Sequence, residues 1–122
     1  MWVALGSLNL ALAVALGAFG AHGLKARLTA EQLAWWHTGC DYHFIHALGL
    51  LGIGVLAAVR PDLSLSRGIG GCLLAGIVIF SGSLYAMALG APRWFGAITP
   101  IGGLAFIAGW IWLAVAAWQK GI

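Results

Sequence analysis

Asp41, His43 and His46 stand close together in the apolar run Gly39-Cys40-Asp41-Tyr42-His43-Phe44-Ile45-His46. A carboxylate and two imidazoles are groups that relay protons, act as a general base or ligate a metal or haem. On a helix turning about 100° per residue, His43 and His46 are about 60° apart and can share a ligand, whereas Asp41 lies roughly 140° from His46. A tetrahedral zinc site would need further ligands from elsewhere, and His22 is the obvious source. Neither CxxC nor HExxH occurs, so the sequence names no metal and no cofactor. Hydrogen-bonded structural histidines are the competing reading, with Tyr42 able to pair with His46 or Thr38 at four-residue spacing. Ser81-Gly82-Ser83 lies inside an apolar stretch rather than at a strand-to-helix turn, so it is not a nucleophile elbow. No glycine-rich nucleotide fingerprint follows a strand. The sequence therefore assigns no catalytic residue.

The elements that must hold these side chains are membrane spans. Of 122 residues, 62% are hydrophobic and 7% are charged, and the mean hydropathy is +1.00. A soluble domain carries about 25% charged residues, so this chain needs lipid to solvate its apolar surplus. Nineteen glycines and seven tryptophans suit close helix packing and headgroup-level indoles, respectively. The net charge of +3 comes from scattered Lys25, Arg27, Arg60, Arg67, Arg93 and Lys120, with no basic run to suggest nucleic acid. Cys40 and Cys72 fall near opposite membrane faces, too far apart to bond, and read as small buried hydrophobes.

Four spans are expected in a single all-α transmembrane domain covering 1–122: about 2–21, 36–59, 68–89 and 100–118. The first reads as a retained helix rather than a cleaved signal, because its start has no Lys or Arg and its apolar run is long. His22–Leu28 reads as a loop. Thr29 and Gln32 form a capping box that opens a helix running to Val59, stopped by Arg60-Pro61. At 1.5 Å per residue that helix is about 45 Å long, so its first turns form an interfacial extension of the bundle. Arg60–Arg67 and Gly90–Ile98 make the other loops, and Thr99-Pro100 reads as an N-cap followed by Pro at the first helical position. Small residues at helix-packing spacing (Ala13, Gly17, Ala21; Gly82, Ala86, Gly90; Ala105, Gly109) point weakly to a tight bundle.

An even number of spans puts both termini on one side. Arg60, Arg67 and Lys120 then balance Lys25, Arg27 and Arg93, so loop charge fixes no orientation. The same arrangement gathers most polar side chains into one leaflet: His22, His37, Asp41, Tyr42, His43, His46, Ser81, Ser83, Tyr85, Arg93 and Thr99. The opposite half is apolar apart from Ser7 and Asn9. A carboxylate at the hydrocarbon edge costs about 2.5–3.5 kcal/mol, so Asp41 should face protein or water. Its available counterions are His37, Lys25, Arg27 and Arg93. Two roles remain open for it, a relay or substrate-contacting carboxylate and an interfacial salt bridge.

Four blocks carry a resemblance: Gly17-Ala18-Phe19-Gly20-Ala21-His22-Gly23-Leu24; Trp36-His37-Thr38-Gly39 with Tyr42, His43 and His46; Ser81-Gly82-Ser83-Leu84-Tyr85; and Thr99-Pro100-Ile101-Gly102-Gly103 with Phe106, Gly109 and Trp110. In order and spacing the chain resembles the small bacterial membrane proteins of domain of unknown function 423, with transmembrane protein 256-like relatives in eukaryotes. The resemblance implies a multi-span inner-membrane protein and brings no reaction, substrate or catalytic residue. The leading expectation is a non-enzymatic, self-associating transporter, channel or accessory subunit whose certain partner is membrane lipid. A ligand-, metal- or haem-binding protein using His22, His43 and His46 is the first alternative. An interfacial lipid-acting enzyme with Asp41 or His46 as base is the second.

Overall fold

A computed structural model describes residues 1–62 and 66–122. Four helices long and apolar enough to cross a membrane make up the fold: α1 (Trp2–Leu24), α2 (Ala30–Val59), α3 (Ser66–Ala88) and α4 (Arg93–Lys120). Among the described residues there is no strand. The chain is an all-α four-helix membrane bundle.

Local chemistry sets most of the helix ends. At the start of α2, the Gln32 amide donates to Thr29 Oγ1 at 3.2 Å and the Thr29 amide to Gln32 Oε1 at 2.9 Å, completing the expected capping box. Pro61 follows its last turn. Gly90, at φ +108, ends α3: its amide bonds the Met87 carbonyl and the Ala91 amide bonds that of Ala86. Gly121, at φ +65, closes α4 in the same way, with Ile122 bonding Ala117. Both are Schellman closures, and both need the left-handed backbone that glycine adopts without a Cβ penalty.

The expected loops are shorter than the sequence suggests. α1 widens into a π-helical turn over Gly20–Leu24, so His22 belongs to the helix end and not to a loop. The expected Gly90–Ile98 loop instead holds the first part of α4, a 3-10 turn over Arg93–Ala97. Ile98, not Thr99, occupies the N-cap position of the α-helical part of α4 (Thr99–Lys120), and the Thr99 hydroxyl bonds across to α3 instead of capping. The Arg60–Arg67 loop lies partly outside the described residues.

α2 and α3 form the central pair, with α1 packed on α2 and α4 on α3. Lipid provides no hydrophobic drive between helices, so close packing must hold them. The close approaches are backbone at some positions and ring against glycine at others. A Cβ on Gly6 would meet Leu51 backbone at 2.5 Å, and one on Gly102 would strike the Phe80 backbone. The Trp2 indole lies over Gly70, Phe106 over Gly76, and Trp36 over Gly20. The main core gathers Trp2, Ala47, Leu50, Ile53, Leu73 and Phe106, and a smaller one surrounds Trp36 and Ala88.

The tryptophans set a depth scale. Trp2 packs beside Gly54 at one end, and Trp35 marks the other end of α2. The nineteen steps from Trp35 to Gly54 span about 28 Å, close to the ~30 Å hydrocarbon core. The first turns of α2, with Glu31, lie outside that interval.

Candidate functional site

The polar residues sort into separate arrangements rather than one cluster. The deepest is a chain of hydrogen bonds through three helices. His43, only 2% exposed, has Nδ1 at 3.1 Å from Tyr85 Oη on α3 and Nε2 at 3.2 Å from Asn9 Oδ1 on α1. Asn9 Nδ2 donates to the Leu5 carbonyl at 2.9 Å, which fixes Oδ1 as the acceptor facing His43. His43 therefore donates from Nε2 and accepts the Tyr85 hydroxyl proton at Nδ1. Both of its nitrogens are engaged. Asn9 is a member that sequence reading left in the apolar half, although a carboxamide inside a span is itself a signal that a partner is needed.

His46 turns the other way. Its ring stacks on Phe106 of α4, with centroids 3.4 Å apart and planes 12° apart. Nδ1–H donates to the Tyr42 carbonyl at 2.6 Å. Tyr42 thus pairs with His46 through its backbone and by ring stacking, while its own ring packs on Phe80. His43 faces α1 and α3 and His46 faces α4, so the two do not converge. His22 is exposed at the end of α1. Among the described residues no three His, Cys, Asp or Glu side chains converge.

The serines act as helix ties. Ser81, fully buried in a π-helical turn of α3 (Ile77–Ser81), donates to the Gly39 carbonyl of α2 at 2.8 Å. Ser83 donates to the Phe80 carbonyl at 2.9 Å and takes the Thr99 hydroxyl proton across 2.6 Å, linking α3 to α4. Ser81 and Tyr85, four residues apart, lie on one face of α3 and both meet α2.

At the interface, Arg93 pairs with Glu31 at 2.8 Å and lies over the Trp35 ring, 5.6 Å from its centroid. It is not the counterion of Asp41. Asp41 and His37 are both exposed on the outward face of α2, and Asp41 has no hydrogen bond or ion pair among the described residues. At the opposite end, Arg60 donates to both carboxylate oxygens of Asp62, at 3.0 and 3.1 Å. Those bonds hold the Asp62 carboxyl below its usual range. Cys40 and Cys72 are free and half-buried.

Every buried side-chain nitrogen or oxygen among the described residues has a partner. Such an arrangement aligns helices. Fold and site together define a four-span integral membrane bundle braced by internal hydrogen bonds.

Comparison with known proteins agrees. The family described as "Protein of unknown function (DUF423)" matches residues 16–103. The chain is 47% identical to the UPF0382 membrane protein YwdK of Bacillus subtilis, over 96% of this chain and 95% of that one. It is 43% identical to the UPF0382 inner membrane protein YgdD of Escherichia coli, over 85% of this chain and 79% of that protein. No solved structure matches. The chain belongs to the DUF423 family of membrane proteins.

Proposed function

We propose that this protein is a self-associating membrane bundle that catalyses no reaction itself, and that its copies meet on the outward face of α2. It resides in the bacterial inner membrane with both termini on one side, and serves as a small transporter, channel or accessory subunit. Asp41 carries the reading. It stands six positions after Trp35, so it lies about 9 Å inside the tryptophan level. It is exposed there without a partner among the described residues. A carboxylate at such depth is costly unless protein or water receives it.

Ala34, Thr38, Asp41, Ile45, Leu48 and Gly52 are all exposed on α2, alternating spacings of four and three. That is the seam of a left-handed helix pair, and one polar residue in such a seam fixes register. Two copies in the same orientation bring Asp41 of one beside His37 and Asp41 of the other, where a proton or a histidine can neutralise the charge. Four helices packed this closely leave no central path through one copy, so a conduction route would run between copies.

Native mass spectrometry in mild detergent tests the proposal. The wild type should appear as dimers or larger assemblies, and Asp41→Leu should shift the population at least tenfold toward monomer. Wild-type protein that is monomeric throughout would reject it. The alternatives have less support: both His43 nitrogens are occupied by protein, which disfavours metal or haem, and Asp41 and His46 do not meet, which disfavours a shared base.

A further inference from the structure

Where the first turns of α2 meet the turn between α3 and α4, an open pocket of about 310 Å³ lies at the end of the bundle. Glu31 and Trp35 line it from α2, Met87 from the end of α3, and Arg93 from the start of α4. Glu31 stands four positions before Trp35, about 6 Å further out along the helix. The polar layer on each side of the hydrocarbon is about 5–8 Å deep. The pocket therefore lies at the depth of phospholipid headgroups.

Its charges are of both signs and only partly used. Arg60 and Asp62, at the other end of α2, close on each other through two hydrogen bonds. Arg93 and Glu31 share one, from Nη2 to Oε2 at 2.8 Å. A guanidinium carries five N–H donors and a carboxylate two accepting oxygens. Among the described residues, the other guanidinium donors of Arg93 and Oε1 of Glu31 have no hydrogen-bond partner. The two side chains are 77% and 56% exposed, so that spare capacity is open to the headgroup layer.

A cation beside an anion complements a ligand that carries the same two charges in the opposite order. The phosphodiester of a zwitterionic phospholipid takes the guanidinium, and its amine takes the carboxylate. Trp35 and Glu31 decide which amine. Arg93 already lies over the Trp35 ring, 5.6 Å from its centroid, so a quaternary ammonium finds that cation–π face taken. Lacking an N–H, it cannot donate to Glu31 either, whereas a primary ammonium has three donors. An anionic headgroup without an amine brings Glu31 only a like charge.

We propose that this pocket binds a phospholipid with a primary amine, phosphatidylethanolamine, with Arg93 on the phosphodiester and Glu31 on the ammonium. Trp35 is the positioning residue, holding the guanidinium beside Glu31. The site is formed within one chain and does not rest on self-association.

Full-length protein in mild detergent would be titrated with dioleoyl phosphatidylethanolamine, phosphatidylcholine and phosphatidylglycerol in turn. Native mass spectrometry counts the bound lipid, and circular dichroism verifies the fold. The wild type should bind the ethanolamine lipid at least fivefold more tightly than either of the others. An exposed ion pair contributes little to stability, so Glu31→Gln and Arg93→Gln should remain folded. Glu31→Gln should reduce the preference to less than twofold, and Arg93→Gln should weaken binding of the ethanolamine lipid at least fivefold. Lys25→Ala, which removes a cation outside the pocket, should change neither. Equal affinity for the three lipids would overturn the proposal, as would undiminished preference in folded Glu31→Gln or undiminished binding in folded Arg93→Gln. So would displacement of the lipid by glycerophosphoethanolamine at comparable concentration, which would assign the pocket to a soluble phosphate ester.

Discussion

His43 has two ring nitrogens, and the bundle gives each a partner from a different helix. Replacing it with Leu keeps the bulk but orphans the Asn9 oxygen and the Tyr85 hydroxyl, both of which then lack a partner in an apolar setting. Cross-helix hydrogen bonds in membranes are modest individually, because the unfolded state also finds partners. Stranding two groups at once raises the cost, and His43→Leu should destabilise the bundle by about 1–3 kcal/mol. Reversible unfolding in mixed micelles would measure it. A double-mutant cycle with Asn9→Leu should show coupling between the two positions. The need for such partners is legible in the sequence, since an imidazole within a span must bond something. The identity of Asn9 is not, because residue counting sets it in the opposite leaflet. In antiparallel α1 and α2 the two residues meet near mid-span, where that division loses meaning. Asp41 shows the reverse limit: sequence supplies four nearby counterions, but Arg93 is drawn to Glu31 and Trp35 instead.

At the level of the helices, what depends on adjacent residues could be read directly. The Thr29–Gln32 box and the stop at Pro61 require only a few neighbours in sequence, and both ends of α2 follow from them. The π turns at Gly20–Leu24 and Ile77–Ser81 are fixed by packing between helices, so no local pattern announces them. The glycines divide in the same way. Spaced triplets direct attention to Gly17 and Gly82, yet a Cβ at either would meet nothing within 4 Å. The close backbone approaches occur at Gly6, Gly54 and Gly102. Gly17→Ala should therefore be neutral or stabilise by up to about 1 kcal/mol through helix propensity. Gly6→Ala and Gly102→Ala should each destabilise by about 1–3 kcal/mol, because backbone cannot rotate out of the way. Thermal unfolding of the three variants would separate these classes.

The end of α2 also carries a pH dependence. Asp62 is held below its usual pKa chiefly by the Arg60 hydrogen bonds. The pair therefore contributes fully above the ordinary carboxylate range, and its contribution disappears as pH falls through the lowered value. An Asp62 carboxyl carbon titration by NMR should show a midpoint below that of an unstructured aspartate, and Arg60→Gln should return it to the ordinary value. The exposed setting limits the effect to this helix end.

For the whole molecule, the governing quantity is the balance of charge across the bilayer. In the proposed topology, Arg60, Arg67 and Lys120 lie on the side of the termini and Lys25, Arg27 and Arg93 on the other. Hydropathy made the number of crossings legible, since only a bilayer can solvate these helices, but equal charge on the two faces says nothing about direction. That equality makes orientation sensitive to small changes. Lys25 and Arg27 are exposed and form no salt bridge among the described residues, so replacing both with Ala removes loop charge without disturbing packing. The double variant then carries three basic residues against one and should insert with both termini in the cytoplasm. A green fluorescent protein fused at the C-terminus should fluoresce in nearly all of that population, and an alkaline phosphatase fused there should be inactive. Arg67→Ala combined with Lys120→Ala biases the charge the opposite way and should reverse both readings. If both variants report the same orientation as the wild type, loop charge does not direct insertion and packing within the bundle must do so.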